Sequence, residues 1–312
     1  MKKMFLLVLI AFCCTLSAKE LKVLAIGNSF SVCVTRNLPQ VVASVPGNRI
    51  ILTSAQIGGC SLERHWNEWS KAEQDPKYTP YSVVVIDSAA IDSKITRKGN
   101  VNDLPKNNKY DIITIQQNSA NSWKYETYQP FAGKLIEVIK KYQPQAEIII
   151  QQTWSYRCDA VGLKKWKFDN TVMYNKLEAA YAKLAKEYGF RLIPTGYAIQ
   201  IFRAETPVKF VAPDMKVLAE LKNTKAHAFD GDVVGYFKWM RNKKSGEFFL
   251  GRDANHLNPH GEYLQAAVWF STLFGENATA IKYIQPDMKP EQAKFLLECA
   301  QKAVSTFKQP GK

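Results

Sequence analysis

The sequence predicts an α/β fold in which helices cover both faces of a mostly parallel central sheet. Short apolar runs of strand length alternate with amphipathic stretches of helix length along most of the 312 residues. The chain has the length of one large domain, and it contains no internal repeats or low-complexity segments. We therefore expect a single layered domain over residues 19–312.

The predicted strands and helices follow one another regularly. Strands are expected at residues 21–26, 49–54, 110–115, 147–151 and 191–194. Apolar residues at helical spacing predict helices over 131–142 and about 173–188, and Gly189 is placed to end the second. Asn258 and Pro259 form a cap and first residue for a further helix, and Pro290 opens a terminal one. Residues 81–109 and 205–252 interrupt this order and are predicted to be insertions.

Residues 1–18 have the pattern of a cleaved secretory signal. Lys2 and Lys3 precede the apolar run Met4–Cys14, and small residues lead to Ala18. A membrane-spanning helix needs about 20 apolar residues, so this shorter run predicts no stable span. Phe12 is bulky where a lipoprotein signal requires a small residue, which disfavours lipidation. The pattern therefore predicts export to the periplasm or the cell exterior.

Composition narrows the class of partner. The formal net charge is +14, but the basic clusters are short and resemble a solvated lysine-rich surface. Together with export, this argues against a nucleic-acid partner. Four cysteines lie beyond the predicted signal, without C-x-x-C or metal-site spacing. Three disulfide pairings or buried free thiols remain open for Cys33, Cys60, Cys158 and Cys299.

Small and polar residues follow the ends of the predicted strands, where open α/β sheets bind their ligands. These segments are Gly27-Asn28-Ser29, Gly58-Gly59, Gln116-Gln117-Asn118-Ser119 and Trp154-Ser155. Ser29 fits either a helix cap or a nucleophile. The first turn matches neither G-x-G-x-x-G nor a P-loop, and Ser31 replaces the last glycine of a G-x-S-x-G elbow. The dinucleotide, P-loop and lipase-type α/β-hydrolase classes are thereby disfavoured.

A base for Ser29 is offered by the segment around His256. Asp253 lies three residues earlier, so its carboxylate can hold one imidazole nitrogen while the other acts as a base. His256 and His260 are four residues apart, a spacing that binds metal on a continuous helix. Because Pro259 is expected to begin the helix between them, the two histidines should not share a helical face, and no metal site is predicted. No cofactor is predicted either.

In combination, these segments resemble the SGNH (GDSL-like) hydrolase superfamily, and a poorly characterised bacterial branch of it. The family's G-D-S turn corresponds here to G-N-S, which makes Ser29 the nucleophile by resemblance. Its D-x-x-H block corresponds to Asp253 and His256. The resemblance implies a three-layer, flavodoxin-like sandwich.

The oxyanion hole is also assigned by this resemblance. The segment I-G-G-C-S-L matches the second family block, with Gly59 the better candidate and Gly58 the next. Asn118 occupies the position of the family's oxyanion asparagine, beside the backbone N–H of Ser29. Gln116 and Ser119 replace the usual glycine and aspartate, which leaves Gln117 as a rival.

The implied activity is that of a secreted serine esterase acting on short acyl esters, with acetyl esters of carbohydrate preferred, through an acyl-enzyme. The substrate is then a small-molecule or polysaccharide acyl ester. Trp66, Trp123 and Trp154 are candidates for stacking on sugar rings, with packing in the core or a lid as the equal alternative. The competing interpretations are a silent glycan-binding protein, an acyltransferase and, last, a metal-dependent hydrolase. Nothing in the sequence indicates an oligomeric state.

Overall fold

A seven-stranded sheet forms the centre of the molecule. The computed structural model describes residues 19–212, 214, 231–242 and 244–311. The strands are β1 (Lys19–Gly27), β2 (Asn48–Gln56), β3 (Tyr81–Asp87), β4 (Ile95–Gly99), β5 (Ile112–Ile115), β6 (Glu147–Gln151) and β7 (Arg191–Ile193). They lie in the order β4-β3-β2-β1-β5-β6-β7, and β3 alone of these seven runs against its neighbours. The mostly parallel sheet predicted from sequence is confirmed.

Helices cover both faces of this sheet. They are α1 (Ser29–Val32), α2 (Val34–Ala43), α3 (Leu62–Gln74), α4 (Asp103–Asn107), α5 (Phe131–Tyr142), α6 (Val161–Trp166), α7 (Asn170–Tyr188), α8 (Thr195–Glu205), α9 (Pro259–Phe274) and α10 (Pro290–Thr306). One group of helices, α2, α8 and α10, packs around α9, and α3 and α4 pack against α5. The predicted α/β layered architecture is therefore confirmed. Among the described helices, none combines the length and the apolar character needed to cross a membrane.

Two predicted helix boundaries are confirmed. Gly189 ends α7 with φ +68°, a left-handed conformation that glycine adopts without a Cβ penalty. Asn258 caps α9 by accepting a hydrogen bond from Gly261 N at 3.1 Å, and Pro259 is the first helical residue. This second boundary is important because it fixes the direction of the chain that leaves the Asp253–His256 segment.

The two predicted insertions have different outcomes. Residues 81–109 contain β3, β4 and α4, so they widen the main sheet on its β2 side. Of residues 205–252, the described part includes β8 (Val234–Arg241) and the start of β9 (Phe248–Leu257), which pair as an antiparallel hairpin separate from the main sheet. Residues 213, 215–230 and 243 lie outside the described part, as does the predicted signal at 1–18.

The strand order creates a crevice at the carboxyl ends of β1 and β5. From β1 the chain continues to β2 on one side, and it later returns to β5 on the other side of β1. Ligands of open α/β sheets bind at such reversals of strand order. Ser29 follows β1 and Asn118 follows β5 at this same edge, so the topology brings together two residues that are far apart in sequence.

Candidate active site

Ser29 is the first residue of α1, two residues after the end of β1. Asn28 takes the N-cap position with an extended backbone, and its Oδ1 accepts a hydrogen bond from Phe30 N across 3.0 Å. The helix is therefore capped by Asn28 and not by Ser29. The hydroxyl of Ser29 instead points to another partner, as described below.

Asn28 also connects the turn that carries Ser29 to two neighbouring segments by hydrogen bonds. Its Oδ1 accepts a second hydrogen bond from Gln116 Nε2 at 2.6 Å, after β5. Its Nδ2 donates to the backbone carbonyl of Cys60 at 2.9 Å, in the loop after β2. An aspartate, the usual residue of the family turn, is an acceptor only when ionised and cannot make the contact with Cys60. The irregularity of the G-N-S turn thus has a structural explanation.

A buried polar network supports the turn from below. The hydroxyl of Ser31 donates to Gln151 Oε1 at 2.7 Å, and Gln151 Nε2 donates to the carbonyl of Phe30 at 3.0 Å. Gln265 Nε2 from α9 reaches the same carbonyl at 3.0 Å. A Cβ on Gly27 would lie only 2.2 Å from Ser31 Oγ, so glycine is needed there for close packing. Gln265 Oε1 has no described partner, and the other hydrogen bonds of this network hold the turn in place.

His256 and Asp253 meet Ser29 in the geometry of a catalytic triad. The Nε2 atom of His256 lies 2.9 Å from Ser29 Oγ, and Nδ1 lies 2.8 Å from Asp253 Oδ2. With the ring proton on Nδ1, this nitrogen donates to the carboxylate, and Nε2 is left as an acceptor facing the serine hydroxyl. Ser29 and His256 are 227 positions apart in the sequence.

The carboxylate of Asp253 is strongly held in its ionised form. Its Oδ1 accepts from the backbone N–H groups of Asn255 and His256 at 2.9 and 3.0 Å. Burial alone would raise the pKa of Asp253, but the hydrogen bonds from the His256 ring and from these two N–H groups outweigh it. They hold that pKa well below its usual range.

The segment carrying the Asp–His pair is braced from the loop after β6. Trp154 Nε1 donates to the carbonyl of Asn255 at 2.8 Å, and Arg157 N donates to the carbonyl of Ala254 at 2.9 Å. On the far side, Asn258 Nδ2 donates to Asp232 O at 2.9 Å. The histidine is therefore fixed both before and after its position in the chain.

Two of the residues expected to form an oxyanion hole, Gly59 and Asn118, contact each other. Asn118 Nδ2 donates to the carbonyl of Gly59 at 3.0 Å, and Asn118 Oδ1 accepts from Asn121 N at 3.0 Å. Gly59 has φ +63°, a conformation that favours glycine even though the space around its Cα is open. No described residue accepts a hydrogen bond from the backbone N–H of Ser29 or Gly59. These N–H groups remain available to a ligand.

Gln117, the rival for the oxyanion role, has a structural position instead. Its side chain is completely buried, and its Oε1 accepts from Leu62 N at 3.1 Å and from Asn118 N at 2.8 Å. Its Nε2 donates to the carbonyl and hydroxyl of Thr127 at 3.0 and 3.2 Å. Gln117 Nε2 thus has two acceptors and Asn118 Nδ2 has one described acceptor, which leaves Asn118 as the better candidate.

Comparison with known families places the chain. A family model described as a domain of unknown function, DUF4886, matches residues 22–210. The chain belongs to this family. The matched range contains Ser29, Gly59 and Asn118 and ends before Asp253 and His256, which lie in the part of this DUF4886 protein that the model does not cover.

Solved structures extend the comparison. A DUF4886 family protein from Bacteroides uniformis ATCC 8492 is 25% identical, with TM-score 0.71 over 94% of this chain and 97% of its own. A proposed SGNH hydrolase from Slackia heliotrinireducens is 18% identical, with TM-score 0.48 over 82% of this chain and 100% of its own.

A third similar structure is a catalytic mutant of Axe2, an acetylxylan esterase from Geobacillus stearothermophilus, at 10% identity and TM-score 0.45 over 85% of this chain and 97% of its own. Two of these similar structures carry descriptions that the sequence resemblance predicted, an SGNH hydrolase and an esterase, and the proposal of activity below rests on the site itself. A comparison with curated protein sequences found no significant match to this DUF4886 protein.

The predicted sugar-stacking role of Trp154 is wrong for this conformation. Trp154 is fully buried and stacks on Phe30. Trp66 is half-buried with the ammonium of Lys134 over its ring at 5.3 Å. Trp123 packs among other aromatic side chains, with Phe168 at 5.0 Å. None of the three tryptophans lines the cavity at Ser29, and stacking by Trp66 or Trp123 stays a prediction.

A cavity of about 600 Å³ opens beside Ser29 and His256. Its other lining residues are Val32, Cys33, Arg36, Gln56, Gly58, Tyr236, Leu257, Pro259 and Glu262. Sequence reasoning singled out none of these except Gly58 and Pro259. One signal was present, since Ser29, Val32, Cys33 and Arg36 recur at helical spacing. The remainder come from β2 and the loop after it, from β8 and β9, and from α9, whose convergence only the fold reveals.

Two further groups in this cavity stay neutral. Burial raises the pKa of the Cys33 thiol to about 12, so this cysteine is not a competing nucleophile. Burial and the Asp253 carboxylate raise the pKa of Tyr236 to about 12. Within the described residues, no group of three or more His, Cys, Asp or Glu side chains has metal-binding geometry. His260 lines a different cavity, next to Phe295.

Proposed function

We propose that this DUF4886 protein is an exported serine esterase that hydrolyses short acyl esters, with acetyl esters of carbohydrate as the preferred class. The single observation that carries the proposal is the 2.9 Å contact between His256 Nε2 and Ser29 Oγ, backed by Asp253. A serine with this partner is an activated nucleophile, and its roles are recognised by geometry.

In the proposed mechanism, Ser29 Oγ attacks the ester carbonyl while His256 Nε2 takes the hydroxyl proton. The negative oxygen of the tetrahedral intermediate accepts hydrogen bonds from the N–H groups of Ser29 and Gly59 and from Asn118 Nδ2. Loss of one such donor typically costs about 2.7–4 kcal/mol of barrier. His256 then gives its proton to the leaving alcohol oxygen, and the acyl group remains on Ser29.

Water completes the cycle. His256 removes a proton from a water molecule, which attacks the acyl-enzyme through a second tetrahedral intermediate. Collapse of this intermediate returns the proton to Ser29 Oγ and releases the carboxylic acid. Asp253 orients the imidazole and stabilises its protonated form in both halves without taking the proton itself.

The decisive experiment compares aryl acetate hydrolysis by wild type, Ser29→Ala and a control, Ser70→Ala, whose hydroxyl contacts only the Trp66 carbonyl in α3. We expect turnover by wild type and the control and its loss in Ser29→Ala. Wild-type turnover that survives Ser29→Ala would contradict the serine mechanism. A silent glycan-binding protein would give no turnover of any acyl ester, and inhibition by a chelator would favour the metal-dependent alternative.

Chain length and localisation have separate tests. A series of aryl esters from acetate to octanoate should show falling kcat/KM with acyl length. Acetylated product formed on an added sugar, in place of free acetate, would identify the acyltransferase alternative. The predicted signal is tested by sequencing the N-terminus of exported protein, which should begin at Lys19.

A further inference from the structure

The cavity beside Ser29 has an apolar wall and a polar wall. Val32, Leu257 and Pro259 supply apolar surface, and the polar wall contains Arg36 and Glu262. Its volume of about 600 Å³ lies within the usual range for small-molecule sites, about 300–1,000 Å³. The two charged residues are an independent feature of the site, since neither contributes to the triad or the oxyanion hole.

Glu262 is the most informative residue of this wall. Its side chain is only 7% exposed, and Arg36 contacts its Oε1. No described donor reaches its Oε2. Oε2 is not among the fully buried unpaired atoms of the described residues, so it is accessible to a donor that enters the cavity. Burial raises the pKa of Glu262 to about 7 despite the guanidinium, as expected for an incompletely paired carboxylate.

Arg36 provides complementary donors beside this acceptor. The guanidinium has five N–H donors in a planar fork, and the contact with Glu262 uses Nη1 alone. Its side chain is 62% exposed, so the remaining donors are accessible at the cavity. A ligand in the cavity therefore meets an acceptor and a donor side by side.

The proposed mechanism determines which part of an ester lies there. His256 lines this cavity, and it must deliver its proton to the oxygen of the leaving alcohol. The alcohol part of the substrate is consequently on the cavity side. This step rests on the esterase function proposed above.

We propose that Arg36 and Glu262 form a subsite for two adjacent hydroxyl groups on the alcohol part of the substrate. One hydroxyl donates to Glu262 Oε2, and its neighbour accepts from the Arg36 fork. A simple aliphatic alcohol would displace solvent from Glu262 Oε2 without replacing its hydrogen bond. An anionic alcohol would bring negative charge towards Glu262 and Asp253. The substrate class is thus a neutral polyol, such as a pyranoside with an unsubstituted vicinal diol.

The test compares two monoacetates of a methyl pyranoside, one with two adjacent free hydroxyls and its dideoxy counterpart. We expect wild type to prefer the diol ester in kcat/KM by about tenfold or more, the effect of one hydrogen bond to a charged group. Arg36→Gln and Glu262→Gln should both reduce this preference about tenfold, mainly through KM for the diol ester. Arg49→Gln is the matched control, since it removes an ion pair with Asp87 on β3 and should keep the preference.

Equal rates for both esters in wild type, or an unchanged preference in both cavity variants, would overturn the subsite. Failure of the esterase function is a different result, in which wild type hydrolyses neither ester. The subsite is then tested by calorimetric titration of the unesterified methyl pyranoside into Ser29→Ala protein. Binding that Arg36→Gln and Glu262→Gln both weaken supports the proposal, and its absence or its insensitivity to them contradicts it.

Discussion

Phe30 and Trp154 stack face to face, with ring centroids 4.0 Å apart and planes inclined by 5°. Phe30 follows the nucleophile candidate Ser29, and Trp154 holds the carbonyl of Asn255 next to His256. The ring of His256 also meets Phe30 edge-on, at 5.3 Å between centroids. One aromatic contact therefore links the segment that carries Ser29 to the segment that carries His256, 227 residues later in the chain.

Trp154→Phe is expected to separate this positioning role from simple packing. Phenylalanine keeps a ring against Phe30 but leaves the Asn255 carbonyl without its donor, so the His256 segment should loosen. We expect kcat for aryl acetate to fall about tenfold or more with KM little changed, since small misplacements of reacting groups are costly. Trp269→Phe is the control, because Trp269 is equally buried and its Nε1 has no described partner. Equal losses of kcat in both variants would contradict the positioning role.

Asp253→Asn should lower kcat by about 10⁴-fold, as expected when a triad carboxylate becomes an amide and the histidine tautomer is no longer enforced. The fold should persist, since Oδ1 can still accept from the Asn255 and His256 N–H groups. Steady-state aryl acetate kinetics and a thermal melt provide the measurement. Asp169→Asn, at the N-cap of α7, is the control and should keep full activity.

Asn118→Ala should mainly affect catalysis, and Gln117→Ala should mainly affect stability. Removing the Asn118 amide is expected to lower kcat about 10²–10³-fold, the usual effect of losing one oxyanion donor. Removing the Gln117 amide leaves four buried or partly buried hydrogen bonds unmade, so it should mainly lower the free energy of unfolding. Parallel kinetics and urea unfolding test both variants. A larger kcat loss in a stably folded Gln117→Ala protein would return the oxyanion role to Gln117.

Asn28→Asp creates the G-D-S turn of the SGNH superfamily, and we expect it to destabilise this protein. The new carboxylate would face the Cys60 carbonyl without a proton to donate, at a cost of about 1–3 kcal/mol in unfolding free energy. Activity should also fall, because Cys60 adjoins Gly59. Asn102→Asp serves as control, since Asn102 also donates from the interior, to Trp69 O at 3.1 Å, but lies outside the site. Unchanged stability of Asn28→Asp would contradict the donor role.

Glu262 should give stability a distinctive pH dependence. Its folded pKa is raised from 4.5 to about 7 by burial, so its protonated form is favoured by folding. The stability linked to this proton is present below pH 4.5 and is lost as pH rises towards 7. Wild type should therefore lose unfolding free energy relative to Glu262→Gln across this window, as measured by urea unfolding at several pH values. Parallel pH profiles of the two proteins would contradict the shifted pKa.

The sheet and the ends of its central strands are predictable from sequence. Buried parallel strands are continuous apolar runs, and the polar residues after them mark one edge of the sheet. Ser29, Gly59 and Asn118 are recognisable for this reason. Asp253 and His256 are recognisable by their resemblance to the D-x-x-H block of the SGNH superfamily, since their three-residue spacing alone also fits a polar surface loop.

Contacts between distant segments are what the sequence leaves open. Trp154 follows a strand as a substrate-binding residue would, and only the position of Phe30 explains its burial. Gln117 and Asn118 are adjacent polar residues. Gln117 is distinguished by its hydrogen bonds with Leu62 and Thr127, which are distant in sequence or follow a turn. The polar wall at Arg36 and Glu262 likewise depends on the approach of α9 to α2, which no local pattern encodes.

The separation of the β8–β9 hairpin from the seven-stranded sheet has a consequence for how the protein loses activity. His256 lies on the hairpin and Ser29 follows β1 of the main sheet, so we expect the two side chains to separate through a local opening that leaves the core intact. Amide protons of β9 are then expected to exchange with solvent at a lower opening free energy than those of β1. We expect the protein to lose activity at a lower temperature than that at which the whole domain unfolds.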